Sequence, residues 1–359
     1  MNNIHRIQEA LIRQGLDAIL LTDEKNQRYA SGFAFTDGAV LVGREKAWLL
    51  TDSRYIEAAE KIAGSCCAVQ MFDREHSLVD LMKAALNECG AEKLAAEDEK
   101  LSHARWSALE KALGRSFLPA GGLMMSLRAS KSEEEIKSLI RAQRISEKAL
   151  EEVLRIIRPG MTEKEVMAEL VYHMLKSGSE GNSFDPIVVT GAKTSMPHGV
   201  PGDEVIRDGD FVTMDFGSLA DGYCSDMTRT VAVGHATEEM KTVYYTVLEA
   251  QLAGIAAARS GIPGRVIDQA ARDVIEKAGY GPYFGHGFGH SLGLDIHEPP
   301  NAGPRGEALM AENDVCSAEP GIYIPGKFGV RIEDVMIIRK NGAEVITKAP
   351  KSELIVLGC

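Results

Sequence analysis

The chain has 359 residues, 45% of them hydrophobic and 26% charged, with a formal net charge of −12. This is ordinary globular usage, which excludes a collagen-like or wholly disordered chain, and at roughly 150 residues per domain it predicts about two domains. The acidic balance argues against nucleic acid or an anionic membrane as the main partner, since both require a basic face.

Residues 3–15 read as an amphipathic helix on Ile4, Ile7, Ala10 and Leu11, stopped by Gly15. Leu16–Leu21 reads as a buried strand, and 38–42 with 47–51 as a hairpin across the polar turn 43–46. A helix over 54–63, a strand over 67–72, a helix over 78–89, a short strand over 93–96 and a helix over 103–113 complete a small α/β region. Pro119-Ala120-Gly121-Gly122 marks a loop at the boundary. Ser132-x-x-Glu135 is a capping box opening a long helix to about residue 157, and Thr162-x-x-Glu165 a second, opening a helix to about residue 176. The character then changes: 185–233 and 314–347 read as antiparallel strands broken by Gly, Asp and Pro. Two helices, about 237–259 and 264–278, lie between them. The expected division is 1–125 and 126–359.

No apolar run approaches the roughly 18 to 20 residues of a membrane span, and the first residues lack the pattern of a signal peptide. The six cysteines, Cys66, Cys67, Cys89, Cys224, Cys316 and Cys359, contain no C-x-x-C spacing and form no disulfide framework. A cytoplasmic protein with no membrane partner is the expectation.

Three segments carry the chemistry. Asp215 ends the strand 212–216, and Asp226 follows after a hairpin-like connector, 217–222. Paired strands would bring the two carboxylates to about 5 Å at Cβ, a separation that calls for a cation or a proton between them. Two unrelated acids at a solvated strand end are the alternative. His286, His290 and His297, three of nine histidines, lie in a Gly-rich stretch, where imidazole can bind metal or carry a proton. The pattern is not H-E-x-x-H, so it is no zincin. Glu319 stands before a Pro-Gly turn, and Arg331 and Glu333 share one strand face. There Arg331 is either simply the partner that a buried Glu333 needs, or part of a site. His198 lies in the rigid loop 196–201. Cys224 reads as a small buried residue rather than a ligand. Together Asp215, Asp226, His290, Glu319 and Glu333 suit two oxygen-ligated cations, which at roughly 3.5 to 4 Å apart activate water for hydrolysis at an acyl centre.

The order and spacing of Met-Asp-Phe-Gly (214–217), Cys-Ser-Asp-Met-Thr-Arg-Thr (224–230), the 286–298 stretch, Glu-Pro-Gly-Ile-Tyr (319–323) and Val-Arg-Ile-Glu-Asp (330–334) resemble the pita-bread metallopeptidases. Within them the resemblance is to the Xaa-Pro aminopeptidase and prolidase branch. It covers residues 133–359. The preceding region, with Leu-Thr-Asp-Ser-Arg-Tyr (50–55), is similar to a creatinase-type N-terminal domain. The resemblance implies an α+β fold: a smaller α/β domain followed by a C-terminal pita-bread catalytic domain. It implies two divalent ions per chain, chiefly Mn2+, with Co2+ or Zn2+ as alternatives. Asp226 and Glu333 would bridge both ions, Asp215 would hold one, and His290 and Glu319 the other. Glu319 would take a proton from the bridging hydroxide, His198 would lie near the scissile nitrogen, and His297 near the developing oxyanion. His286 would line the proline pocket, Arg331 would brace the ligand strand, and Tyr323 would sit near the metals.

Arg305 would hold a substrate C-terminal carboxylate as a prolidase arginine does; a plain surface arginine is the other reading. Before Glu319 the chain departs from the family's Glu-Pro-Gly-Met turn with Met-Ala-Glu-Asn-Asp (310–314), which predicts only a local change. The resemblance implies a proline-containing peptide substrate and a homodimer. Aminopeptidase P activity on longer peptides is favoured over prolidase activity on dipeptides. A non-catalytic peptide-binding relative or a metal-free creatinase-like hydrolase would have lost metal carboxylates that this chain keeps.

Overall fold

The computed structural model describes residues 2–120 and 122–358. Gly121 of the expected boundary loop, and Cys359, lie outside the described residues. The chain divides into two compact units, Met1–Arg128 and Ala129–Cys359.

The first unit is built on six strands: β1 (Ala18–Leu21), β2 (Gly38–Gly43), β3 (Ala47–Thr51), β4 (Ala68–Met71), β5 (Leu94–Ala96) and β6 (Phe117–Pro119). Their order is β4-β3-β2-β1-β5-β6. The β1–β2–β3 steps are antiparallel and the flanking pairings parallel. β1 and β3 are buried along their whole length, as continuous apolar runs require when both faces are covered. Helices α1 (Ile4–Gln14), α2 (Glu24–Ser31), α3 (Ile56–Ala63), α4 (Leu78–Glu88), α5 (His103–Leu113) and α6 (Leu123–Ala129) accompany the sheet. Helix α2 is absent from the sequence reading. It buries Asn26, Gln27 and Ser31 beside Tyr29 and Ala30, so it has no apolar period to reveal it. Strand β6 occupies the start of the expected loop, and α6 follows it.

The second unit opens with α7 (Glu133–Leu154) and α8 (Glu163–Lys176), each begun by the predicted capping box. They cover a four-stranded sheet of order β19-β11-β8-β7. Its strands are β7 (Ile187–Thr190), β8 (Phe211–Phe216), β11 (Met227–Val233) and β19 (Val356–Leu357), with the small hairpin β9 (Leu219–Ala220) and β10 (Tyr223–Cys224) between β8 and β11. At the tip of that hairpin Asp221 and Gly222 take φ 51° and 77°, the left-handed pair that an Asp-Gly turn of type I′ requires.

Helices α9 (Glu238–Ala257) and α10 (Gly264–Lys277) cover a five-stranded sheet of order β13-β12-β14-β17-β18. Its strands are β12 (Gly289–Ser291), β13 (Glu298–Ala302), β14 (Val315–Ala318), β17 (Asp334–Arg339) and β18 (Gly342–Val345). A separate two-stranded ribbon joins β15 (Gly321–Ile324) to β16 (Phe328–Arg331). The segment 330–335, read from sequence as one strand, is therefore two. The β14–β17 ladder ends at Ala318 opposite Asp334, and the β15–β16 ladder begins at Gly321 opposite Arg331. Both segments of the chain cross between ladders there, and Glu319 and Glu333 stand in the two crossings.

Candidate metal centre

Asp215 lies on β8 opposite Thr228 of β11, and Asp226 immediately precedes β11. Interlocked hydroxyls anchor the connector to α7: Ser225 Oγ lies 2.8 Å from Ser146 Oγ and accepts the Ser218 N–H at 2.8 Å, while Ser218 Oγ donates to Ala142 O at 2.7 Å. Ligand atoms of Asp226, His290 and Glu333 all lie within 4.8 Å of one another. Glu319 Oε1 is 3.2 Å from His290 Nε2 and accepts from Ser317 Oγ at 3.0 Å. One cavity of about 900 Å³ is lined by all five of these residues, by Arg331, and by His198, His286, His297 and Arg305.

The donor set fits divalent cations on its own chemistry. Asp226 is 4% and Glu333 1% exposed. Burial, then repulsion from neighbouring carboxylates, pushes both acids well above the usual carboxylate range. Asp215 is raised by burial against the pull of Arg331, and its buried Oδ1 has no hydrogen-bond partner. Acids crowded this way leave charge and lone pairs for an ion to satisfy. His290 Nδ1 faces the Ser291 carbonyl at 3.2 Å, so that nitrogen carries the proton and Nε2 is left for a metal. Burial disfavours the His290 cation, yet Glu319 and Asp226 outweigh it and raise its pKa to about 9. Burial likewise works to raise Glu319, but the bond and charge of His290 hold it at about 2.

Arg331 braces the set. Its Nη2 donates to Asp215 Oδ2 at 2.5 Å, its Nε to Thr228 Oγ1 at 3.0 Å and its Nη1 to the Tyr323 hydroxyl at 2.9 Å. Thr228 in turn donates to Glu333 Oε2 at 2.8 Å. The Tyr323 hydroxyl lies 2.9 Å from His286 Nε2, and His286 Nδ1 faces the Gly287 carbonyl at 2.8 Å. Tyr323 is thus a link between Arg331 and His286, and it is not among the residues lining the cavity. Burial lowers His286 and His297 below the ordinary histidine value, so both rings are neutral near pH 7. The His297 ring centroid is 4.2 Å from that of His290. Arg305 is exposed on the cavity wall. The loop carrying His198 is anchored by the fully buried Glu163, which accepts from Thr190 N, Lys193 Nζ and Gly202 N at 2.7–2.8 Å. Cys224 is buried, its thiol donating to Leu294 O. In the 310–314 turn Asn313 takes φ 69° and Asp314 Oδ2 accepts the Ala311 N–H at 2.7 Å.

Sequence reasoning gave no role to the residues that hold the crossings. Arg229, 1% exposed, donates to Glu333 O at 2.6 Å, Ala349 O at 2.7 Å and Asp334 Oδ1 at 2.8 Å. Gln251 Nε2 donates to Ala318 O at 2.8 Å and Ile332 O at 3.0 Å, the carbonyls flanking Glu319 and Glu333. Arg229 stood in a quoted motif, and Gln251 is an amide in an otherwise apolar stretch of α9; each was a visible signal.

Residues 137–340 match metallopeptidase family M24, and residues 3–130 match the Creatinase/Prolidase N-terminal domain. An Xaa-Pro dipeptidase structure from Bacillus anthracis aligns at TM-score 0.93 and 43% identity, covering 99% of each chain. The X-Pro aminopeptidase of Thermotoga maritima aligns at 0.91 and 36%, covering 97% of this chain and 99% of its own. The Xaa-Pro dipeptidase of Pyrococcus horikoshii is 36% identical over 97% of each. The chain belongs to metallopeptidase family M24, with the α+β pita-bread fold and a creatinase-type N-terminal unit. Within the family it falls in the branch of Xaa-Pro dipeptidases and aminopeptidases, and it is a metallo-exopeptidase. No helix among the described residues is long and apolar enough to cross a membrane.

Proposed function

We propose that the protein is an Xaa-Pro aminopeptidase that holds two divalent ions, Mn2+ in the first instance, on Asp215, Asp226, His290, Glu319 and Glu333. The observation that carries this reading is the convergence of four carboxylates and one imidazole on a single cavity wall that also bears His198 and His297. Bound there, divalent ions supply Lewis acidity and a water of lowered pKa. The protein's own groups do the rest. The Glu319 carboxylate accepts the proton of the attacking water and delivers it to the proline nitrogen as that nitrogen leaves. The neutral His297 imidazole donates to the substrate carbonyl oxygen as negative charge grows on it. His198 holds the peptide near the scissile nitrogen, while His286 lines the proline side of the pocket. A cavity of about 900 Å³ lies at the upper end of the range for small-ligand sites and supports substrates longer than two residues.

Arg305 favours a second reading, an Xaa-Pro dipeptidase, because a guanidinium on the cavity wall can clamp a C-terminal carboxylate two residues from the amine. The test offers Ala-Pro, Ala-Pro-Ala and Ala-Ala-Ala with added Mn2+, read by mass spectrometry. Faster cleavage of Ala-Pro-Ala than of Ala-Pro, with Ala-Ala-Ala spared, supports the aminopeptidase. Cleavage of Ala-Pro alone, lost in Arg305→Met, supports the dipeptidase. Metal analysis near two ions per chain and light scattering at the mass of a homodimer belong to the same reading.

A further inference from the structure

Lysine is almost never fully buried without a partner. Lys131 is 2% exposed, and its ammonium meets Glu298 Oε2 at 3.1 Å, with Glu298 itself 3% exposed. Taking two such ions out of water is costly, and an apolar pair of similar volume often holds a fold as well. Stability alone therefore does not account for the pair, and its placement does.

Glu298 directly follows His297. Its Oε1 accepts the Asp295 N–H at 3.1 Å, closing the turn 295–298 on itself. Gly293 clears the space for that carboxylate: a Cβ there would lie 2.6 Å from Glu298 Oε2. The His297 imidazole has no hydrogen bond to any described residue, so apart from its packing on the His290 ring the turn that carries it sets its aim. On the other side, Lys131 N donates to Asn313 O at 3.0 Å, Ser130 Oγ donates to Glu312 O at 2.8 Å, and Ser130 bridges Asp314. Those bonds clamp residues 130–131 to the turn that enters β14 and leads to Glu319. Asp314, whose Oδ1 is buried without a hydrogen bond, is a second carboxylate within reach of the Lys131 charge. Lys131 thus ties the two turns: its ammonium holds the turn presenting His297, and its backbone N–H holds the turn leading into Glu319.

We propose that Lys131 is a positioning residue: through its buried ion pair with Glu298 it fixes the turn 295–298 and aims the His297 imidazole at the substrate carbonyl. This rests on the role given to His297 above. The test measures Ala-Pro-Ala cleavage with Mn2+ for wild type, Lys131→Met, His297→Ala and the double variant, alongside crystal structures of wild type and Lys131→Met. Misaiming a catalytic group by about 1 Å can cost about 100-fold. Lys131→Met is expected to lower kcat about 10- to 100-fold with KM within about threefold, to displace the turn 295–298, and to add less than about threefold to the loss in His297→Ala. Wild-type kcat in Lys131→Met, losses that multiply in the double variant, or an unmoved turn would each overturn the proposal. Should Lys131→Met fail to fold, Glu298→Gln replaces it in the same cycle, with the same two outcomes. Failure of the underlying reading looks different: wild type then cleaves no proline peptide, or His297→Ala keeps full turnover.

Discussion

The proposed ligand set makes an inverted prediction for Glu333→Gln: the substitution removes a metal ligand yet stabilises the metal-free protein. Ligand atoms of Asp226 and Glu333 lie within 4.8 Å, and two carboxylates at that distance repel by about 3 kcal/mol at an effective dielectric near 20; the attraction of the His290 cation at a like distance is offset by the further repulsion of Glu319 and Asp215. Glutamine removes this repulsion. It also weakens the charge-assisted bond from Thr228, at 2.8 Å, by about 1 kcal/mol. The net is about 2 kcal/mol in favour of the variant, or about 4–8 °C in Tm for a unit of this size. Mn2+ at about 100 times its Kd stabilises wild type by about 2.7 kcal/mol and leaves the variant unmoved. Thermal melts near pH 8, in EDTA and in Mn2+, should therefore rank wild type with Mn2+ above the variant in EDTA, and the variant above wild type in EDTA. A variant that melts below wild type in EDTA, or that Mn2+ stabilises as much as wild type, refutes the charge argument.

Glu319→Gln should lower turnover about 10²- to 10⁴-fold on Ala-Pro-Ala, and a variant with wild-type kcat would remove Glu319 from proton transfer. Gly254→Ala would set a methyl 2.3 Å from the buried Phe288 ring, an overpacking that should cost about 1–3 kcal/mol in denaturant melts. Because Phe288 O accepts the Glu319 N–H at 2.8 Å, the same variant should lose activity, and unchanged stability would show the ring to be loosely held. At Cys66 the neighbouring Cys67 thiol, 3.8 Å away, favours the thiolate and lowers the pKa to about 7. Iodoacetamide labelling of Cys66 should rise as pH passes through about 7, while Cys316, pushed far up by burial, stays unlabelled until unfolding; peptide mass mapping that finds Cys316 labelled as fast as Cys66 would contradict this.

What was legible in the sequence was whatever repeats locally. The capping boxes at Ser132 and Thr162 announced α7 and α8 because their partners lie three residues away. The pairing of β8 with β11 followed from two apolar runs around a polar turn, which brought Asp215 and Asp226 into one site. Helix α2 was hidden because its inward face is amides and a tyrosine, whose side-chain N–H and O–H groups donate to partners outside the helix. The break at 332–333 was hidden for a similar reason: Val330, Ile332 and Val335 look like one strand, and only the distant partners of β16 and β17 separate them. Gln251 and Arg229 support the site through bonds to backbone carbonyls, and a carbonyl leaves no mark on the residue that bears it.

The double crossing at Glu319 and Glu333 has a kinetic consequence. The bonds that fix it span long stretches of chain: 116 residues between Asp215 and Arg331, 105 between Thr228 and Glu333, and 104 between Arg229 and Glu333. Loops of that length close slowly, and nothing rewards closing one until the others are in place. The helices and the β8–β11 hairpin, whose contacts are local, form first, and the two crossings lock last. Refolding followed by far-ultraviolet circular dichroism will therefore run ahead of recovered Mn2+ binding, and the proposed ligand cage will be the final part of the chain to acquire its shape.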